Sequence, residues 1–238
     1  MKTEILFPEV ANLCGDLMNV TYLRQCCPEM EVVETGLKDR PAFLDGGVDL
    51  VYVGSATERG LQLMVKALAP YRAELERYVD GGGLMLATGN ALDALGEYVV
   101  IDGKRAFDGL GILKTHAEYH MMKRHNSFLL GSFQDMEIVG FKSLFGHTYP
   151  DDELANPLLR VERGVGRHPG AFAEGFLRGG LMATYLIGPL LPLNPPFTRY
   201  LLEQMGAKDV KLAFEDTAMK AYRARVEEFR DEKRGYQY

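Results

Sequence analysis

The first half of the chain alternates short apolar runs with amphipathic stretches, and this alternation limits the fold more than any other feature. Apolar side chains recur at helical spacing over residues 18–27 and again over 59–79, where Pro70 interrupts the period. Three short apolar runs around these stretches are typical of strands, at residues 4–7, 31–35 and 49–54. Strands that alternate with helices at this distance form βαβ units with a parallel sheet. The pattern therefore predicts an α/β fold.

The rest of the chain completes this prediction. A strand within 81–89 precedes a helix at 91–98, and two more strands fall within 171–193. Residues 98–161 hold strand-like runs without a helical period, and we place them at a mixed edge of the same sheet. The prediction is a single three-layer domain with a mostly parallel central sheet, helices on both faces and mixed edge strands. Residues 1–206 form it, and residues 207–238 add a C-terminal amphipathic helix and a frayed tail packed on it.

Charge and cysteine content exclude several classes of protein. The chain of 238 residues has 27 Lys plus Arg against 33 Asp plus Glu, a net charge of −6 that argues against nucleic-acid binding. No apolar run is long enough for a membrane span, and the first residues lack the apolar stretch of a signal peptide. The three cysteines, two of them adjacent, form no disulfide framework. We therefore expect a cytoplasmic protein. The glycine-rich stretches lack a nucleotide-binding pattern, so we expect no cofactor.

Six segments, in order, resemble a known family. Residues 7–20 contain an N-L-x-G-D-x-x-N core that includes Asp16 and Asn19. The other five segments are residues 49–54, 78–96, 109–113, 138–141 and 183–202. Together they resemble the class I glutamine amidotransferase-like domain of the cobyric acid synthase type, in particular the glutaminase subunit of lipid II isoglutaminyl synthase. The resemblance covers about residues 5–206 and implies a class I amidotransferase, flavodoxin-like fold.

The resemblance also implies a chemistry and a partner. In that family a cysteine on a sharp strand-to-helix elbow attacks the side-chain amide of glutamine after a histidine removes its proton. Backbone N–H groups of the elbow and of a glycine-rich loop stabilise the oxyanion. The ammonia then passes to a Mur-ligase-like synthetase, which places the family in cell-wall assembly. By resemblance we expect such a partner here, and self-association of the chain stays open.

The chain departs from the family where this chemistry would occur. The family string L-A-I-C-G-G-Y-Q-L-L-G aligns without a gap to residues 86–96, which puts Gly89 at the cysteine position. Ile187 takes the histidine position, and Phe128 takes the position of the arginine that holds glutamine. The glycine-rich loop becomes G-S-A-T-E at 54–58. We predict a degenerate catalytic site and a remnant pocket formed by Gly54, Ser55, Thr88, Gly89, Asn90, Phe128 and Ile187.

Other residues offer alternative chemistry. Cys14 lies near the expected carboxyl edge of the sheet, and with His147 as base it is a substitute nucleophile in an active or repurposed enzyme. Thr88 is a weak nucleophile without a base. Cys26 and Cys27 end a helix and are expected to pack.

The stretch from His116 to His125 includes His120 and suggests a metal site if it is helical. On a strand, residues four apart are about 13 Å from each other, too far to share an ion. We expect a strand or hairpin, and therefore a solvated face or an interaction patch and no metal.

The leading hypothesis is an amidotransferase-like subunit that lacks glutaminase activity and acts by binding or regulation. The alternative is an active or repurposed enzyme that acts on a small amide or a related molecule, with Cys14 as its nucleophile. The first requires an inert elbow, and the second requires an open pocket with polar groups.

Overall fold

The structure, a computed structural model, describes residues 1–152 and 156–237. Its strands are β1 (Lys2–Leu6), β2 (Glu31–Thr35), β3 (Leu50–Val53), β4 (Leu84–Thr88), β5 (Tyr98–Ile101), β6 (Lys104–Asp108), β7 (Thr115–Tyr119), β8 (His125–Phe133), β9 (Met136–Leu144), β10 (Gly146–Pro150), β11 (Leu159–Arg163), β12 (Ala173–Glu174), β13 (Phe176–Arg178) and β14 (Leu181–Thr184). Its α-helices are α1 (Met18–Cys26), α2 (Glu58–Leu68), α3 (Arg72–Asp80), α4 (Ala91–Leu95), α5 (Leu190–Leu193), α6 (Pro195–Gln204) and α7 (Glu215–Arg230).

The central sheet has six strands in the order β13-β14-β4-β3-β1-β2. Strands β2, β1, β3, β4 and β14 run parallel, and β13 pairs antiparallel with β14 at one edge. The predicted, mostly parallel central sheet is confirmed, but its mixed edge is formed by β13 and not by residues 98–161. The carboxyl ends of β1, β3, β4 and β14 therefore meet along one side, where doubly wound folds place ligands.

Side chains of β3 alternate between two cores, as its period of two residues requires. Val51 and Val53 join a core covered by α2, α3 and α4. Leu50 and Tyr52 join a second core covered by α1, α5 and α6. This division confirms three layers with helices on both faces of the sheet.

The strands of the middle region correct one expectation. Residues 98–163 do not extend the central sheet but form most of two further four-stranded sheets, in the orders β10-β7-β5-β6 and β12-β11-β8-β9. The strands of this region hydrogen-bond with one another, which satisfies their backbone N–H and C=O groups. They therefore do not pair with the edge of the central sheet. The long β8–β9 hairpin carries residues that lie near the functional cleft described below.

Helix boundaries follow the sequence in most places. The stretch at 59–79 divides into α2 and α3 through a 3-10 turn that contains Pro70. The helix predicted over 91–98 ends at Leu95, and α6, which follows the prolines at 195 and 196, was not predicted.

Helix α7 contacts β8, β9, α5 and α6. The tail after α7, expected to be frayed, makes several contacts with the rest of the chain. The guanidinium of Arg163 donates to the carbonyls of Phe229, Asp231 and Arg234 at 2.6–2.8 Å, and Gln237 forms an antiparallel bridge with Ser127. Tyr238, the last residue of that tail, lies outside the described residues. Within the described ranges, no helix combines the length and the apolar character needed to cross a membrane.

Candidate functional site

Asp16 joins three loops at the carboxyl edge of the central sheet. Its side chain is fully buried, and Oδ2 accepts hydrogen bonds from the Ser55 backbone N–H at 2.8 Å and the Thr88 hydroxyl at 2.9 Å. Burial raises the pKa of Asp16, and these two hydrogen bonds oppose that shift. Asp16 therefore ties the loop after β1 to those after β3 and β4.

Asn19 continues this network to the other face of the sheet. Its amide nitrogen donates to the Tyr52 hydroxyl at 3.0 Å, and its carbonyl oxygen accepts from the Leu191 N–H at 2.8 Å. Tyr52 in turn donates to the Asp16 carbonyl at 2.8 Å. We call Asp16, Asn19, Tyr52 and Thr88 the buried latch. Asp16 is thus a buried crosslink between these segments.

Gly89 occupies the tight turn between β4 and α4. Its φ is +60°, a left-handed conformation that glycine adopts without the steric cost of a Cβ. A Cβ at this position would lie 2.4 Å from the Ser55 Cβ and 3.1 Å from Ile187 Cγ2. The elbow therefore has no room for a side chain.

Ile187 closes the other side of the elbow, after β14. Its backbone N–H donates to the Phe141 carbonyl at 2.9 Å, and only 7% of the residue is exposed. The side chain has no group that accepts a proton, so it supplies packing and no base.

Two backbone N–H groups of the loop at 54–58 are bound to side chains of neighbouring segments. The Ser55 N–H is bound to Asp16, and the Ala56 N–H donates to Asn90 Oδ1 at 2.9 Å. Asn90 also donates to the Ala56 carbonyl at 2.8 Å, and the Ser55 hydroxyl donates to the Leu13 carbonyl at 2.9 Å. These two N–H groups are unavailable to an oxyanion.

An open cleft of about 260 Å³ lies beside the elbow. The structure brings Ser55, Gly89, Asn90 and Ile187 together in its wall. Thr88 and Gly54 lie behind it, because Thr88 is buried in the latch and a Cβ on Gly54 would meet the Ala11 carbonyl at 2.6 Å. The full lining is Leu13, Cys14, Ser55, Ala56, Thr57, Glu58, Gly89, Asn90, Tyr119, Arg124, Ser143, Leu144, Phe145, Tyr185 and Ile187.

Phe128 does not line this cleft. Its ring stacks on Phe229 of α7 with centroids 4.1 Å apart, within a small apolar cluster that includes Val139 and Val226. The structure therefore separates Phe128 from the other predicted pocket residues. Sequence spacing alone did not reveal that the C-terminal helix covers this strand.

Cys14 lines the cleft and is exposed, with a positive φ of 58°. Burial raises the pKa of its thiol, the Asp16 carboxylate adds to this, and Arg124 opposes it. His147, the base proposed with it, is not part of the lining. Its ring instead packs edge-on against His125 with centroids 5.0 Å apart, and burial lowers its pKa to about 4. A thiol with a raised pKa is a poor nucleophile at neutral pH.

His116 and His120 lie on a strand and in its turn, as expected. His116 on β7 stacks between Tyr98 and Tyr149, at centroid distances of 5.0 and 5.6 Å, while His120 lies in the following turn. No group of three His, Cys, Asp or Glu side chains that could hold a metal ion occurs within residues 1–152 and 156–237. Cys26 and Cys27 pack against the core beside α1.

Sequence reasoning missed the residues that the β7–β9 region contributes. Arg124 places its guanidinium 4.6 Å from the centre of the Phe145 ring and forms a long contact of 3.5 Å with the Ser143 hydroxyl. Tyr119 and Tyr185 reach the floor of the cleft from two different sheets. Along β7 every second residue is buried. A sequence without pairing information does not show which face of this strand lies at the cleft.

Comparisons with solved structures identify the fold. The chain is similar to the structure of PurLQS from Thermotoga maritima, with a TM-score of 0.55 and 14% identity over 94% of this chain and 98% of that one. It is also similar to a glutamine amidotransferase structure, with a TM-score of 0.56 and 16% identity over 86% of this chain and 99% of that one. The fold, with its cleft beside a strand-to-helix elbow, is that of a class I glutamine amidotransferase-like domain.

Comparisons with curated sequences identify the family. The chain is 30% identical, over 81% of its length and 79% of the relative's, to the lipid II isoglutaminyl synthase (glutamine-hydrolyzing) subunit GatD of Staphylococcus aureus. It is 23% identical to the subunit of the same name from Streptococcus pneumoniae, over 89% of this chain and 84% of the relative. No protein-family model matches the sequence. The chain belongs to the GatD family of glutamine amidotransferase-like proteins.

Proposed function

We propose that this chain is a glutamine amidotransferase-like subunit without glutaminase activity, and that it acts by binding or regulating a synthetase. The observation that carries the proposal is the filled space at Gly89, where even a Cβ would overlap Ser55 at 2.4 Å. The resemblance assigns the nucleophile to this position. A cysteine side chain cannot occupy it unless the loop at 54–58 moves.

The other parts of the expected chemistry support the same conclusion. Ile187 offers no proton acceptor at the position that the resemblance assigns to the base. The N–H groups of Ser55 and Ala56 are bound to Asp16 and Asn90, so they cannot stabilise an oxyanion. The absence of the nucleophile, the base and two oxyanion donors together supports a loss of glutamine hydrolysis at the elbow.

The partner is proposed from the relatives. Two of them are named as subunits of lipid II isoglutaminyl synthase. We propose that this chain likewise pairs with a Mur-ligase-like synthetase in the cytoplasm. The fold keeps the sheet edge and the cleft that such a subunit presents, although its elbow is inert.

A second candidate rests on the open cleft. The space beside the elbow is not filled by Phe128, and it keeps the polar groups of Thr57, Glu58 and Asn90 together with the exposed thiol of Cys14. A repurposed enzyme acting on a small amide or a related molecule is consistent with this lining. The raised pKa of Cys14 and the displaced His147 argue against that enzyme.

Glutamate release from L-glutamine distinguishes the two candidates. We expect no release above the protein-free control, either for the purified chain or for the chain mixed with a Mur-ligase-like synthetase. The matched control is Cys14→Ser, which we expect to behave identically. Turnover that Cys14→Ser abolishes would establish the second candidate and overturn the first.

A further inference from the structure

A buried polar cluster lies directly beneath the cleft. The carboxyl group of Asp93, on α4, accepts the Tyr119 hydroxyl at Oδ2 and the Tyr185 hydroxyl at Oδ1, both at 2.6 Å. Asp93 is 2% exposed, and both tyrosines are 2% exposed or less. Since both tyrosines also line the cleft, the carboxyl group controls two residues of its floor. The aligned family string has a glutamine at this position, so the carboxyl group is a departure of this chain.

Among the described residues, no cationic side chain is bonded to Asp93, whose partners are the two phenol hydroxyls. Lys142 Nζ lies 2.7 Å from Glu174 Oε2, and this ion pair is 1% or less exposed on both sides. Because Lys142 Nζ already binds Glu174 and the Gly166 carbonyl, an ionised Asp93 is buried without a cation of its own. Burying an unpaired charge is costly, so the cluster favours a protonated Asp93.

The groups that face Asp93 act in opposite directions. Burial is the largest influence and raises its pKa, the two tyrosine hydroxyls lower it, and the like charge of Glu174 raises it. Lys142 lies 5.4 Å from the centre of the Tyr185 ring and engages Glu174. Around Tyr119, Asn90 forms a hydrogen bond that lowers the phenol's pKa and Glu58 of α2 raises it. The net result is an Asp93 pKa of about 7.

Protonation changes how the tyrosines bond. An ionised carboxylate only accepts, so it holds both phenol hydroxyls at once. A protonated carboxyl group must donate its own O–H, and the nearest acceptor is a phenol oxygen. That phenol then turns its own hydroxyl elsewhere.

We propose that Tyr119, Asp93 and Tyr185 form a proton-controlled element of the cleft floor, in which uptake of one proton by Asp93 releases one tyrosine hydroxyl from the carboxyl group. The proton adds to Asp93 Oδ1 or Oδ2, and no other bond is made or broken. This inference holds for either candidate function, because it concerns only the geometry of the floor.

The test is the pH dependence of unfolding by urea, compared between the wild-type chain and Asp93→Asn. The asparagine keeps the shape and hydrogen-bonding capacity of the side chain but cannot titrate. Since the folded pKa is raised, the folded state holds a proton that the unfolded state has lost, and stability falls as pH rises. We expect the folding equilibrium constant of the wild type, relative to Asp93→Asn, to fall about tenfold per pH unit between about pH 5 and 7, and to level off above about pH 8.

Asp45→Asn is the matched control, because Asp45 is exposed and its pKa is lowered by Arg40, so it does not titrate in this range. A wild-type to Asp93→Asn ratio that does not change with pH would overturn the proposal. Should Asp93→Asn fail to fold, Tyr185→Phe and Tyr119→Phe provide the second measurement. Each removes one donor to the carboxylate, which moves the pH break upward, and an unmoved break would also overturn it.

The response of Tyr119 and Tyr185 in the cleft floor is measured from the near-ultraviolet tyrosine spectrum. We expect a difference spectrum between about pH 5 and 8 in the wild type that Asp93→Asn abolishes. An identical difference spectrum in both proteins would mean that the tyrosines do not respond to Asp93.

Discussion

Two sets of residues have opposite relations to the family. The buried latch contains Asp16 and Asn19, which match the family's opening motif, and it joins loops from four elements through buried hydrogen bonds. The second set comprises the positions at which the sequence departs from the family, and we call them the departed positions. They are Gly89, Ile187 and Phe128, and none of them has a polar side chain. The latch ties the architecture together, whereas the departed positions carry none of the side chains that the resemblance assigns to catalysis.

The difference shows that the turn at Gly89 is closely packed without a side chain. Glycine at position 89 adopts the left-handed turn without steric strain. Ser55 and Ile187 occupy the space that a side chain at this position would need. A loss confined to one of these positions would leave a cavity or a strained turn. Because the neighbours fit each other, the elbow of this chain is a packed and self-consistent structure.

Replacing Phe128 with the arginine that the family has at this position is expected to have the largest effect on stability. Phe128→Arg places a charge beneath Phe229, with the guanidinium of Arg163 already 5.6 Å from the Phe128 ring centre. We expect a loss of about 4 kcal/mol in the free energy of unfolding, measured by urea denaturation. Phe128→Leu, the control, should cost about 1 kcal/mol. A stable Phe128→Arg chain that binds glutamine would show that the pocket is intact.

Breaking the latch is expected to have the next largest effect. Asp16→Ala removes the acceptor for the Ser55 N–H and the Thr88 hydroxyl and leaves both donors buried. We expect about 3 kcal/mol of destabilisation in the same assay. Asp45→Ala, which breaks an exposed ion pair with Arg40, should change the stability far less. Equal effects would remove the distinction between the two sets of residues.

Adding a side chain at the elbow is expected to destabilise the chain less than breaking the latch does. The loss should still exceed the cost of backbone strain alone. Gly89→Ala should destabilise the chain by about 2–3 kcal/mol, because the new Cβ overlaps Ser55 in addition to adopting a positive φ. Gly47→Ala is the matched control, since Gly47 has a φ of +73° and no atom within 4 Å of a Cβ, and it should cost about 1 kcal/mol.

Adding Ser55→Gly sharpens this prediction. The double variant should recover the part of the Gly89→Ala cost that exceeds the Gly47→Ala cost, as a double-mutant cycle measures. If Ser55→Gly recovers nothing, the elbow has room for a side chain and the filled-space argument fails.

The smallest expected effect concerns His147. Burial lowers its pKa to about 4, so the unfolded chain binds a proton that the folded chain rejects between about pH 4 and 6.5. Its contribution to stability is present above about pH 6.5 and is lost as pH falls towards 4. Since Asp93 acts in the opposite direction, His147 is isolated by comparing His147→Gln with the wild type, and the stability of the variant relative to the wild type should rise as pH falls from about 6.5 towards 4. A difference between the two proteins that does not change with pH would contradict both the burial and the sign.

Sequence patterns predicted the central sheet well because its strands obey local rules. The apolar runs at β1, β2 and β3 and the glycine after β4 identify a parallel sheet and its elbow. The alignment to the family then located Gly89 and Ile187 at that elbow. These features depend on residues close together in the chain.

Contacts between distant segments could not be predicted in the same way. Nothing in the sequence near Phe128 indicates that Phe229, about a hundred positions later, would cover it. The pairing of Asp93 with Tyr119 and Tyr185 likewise requires strands from two sheets to converge. The two additional sheets were mistaken for an edge because hairpin strands and edge strands share the same alternation.

We propose that no nucleophile operates in this cleft. The most direct measurement is the intact mass of the protein after incubation with a chloroketone analogue of glutamine, alone and with a Mur-ligase-like synthetase present. We expect an unchanged mass under both conditions. A single adduct that maps to Cys14 and that excess L-glutamine prevents would contradict it.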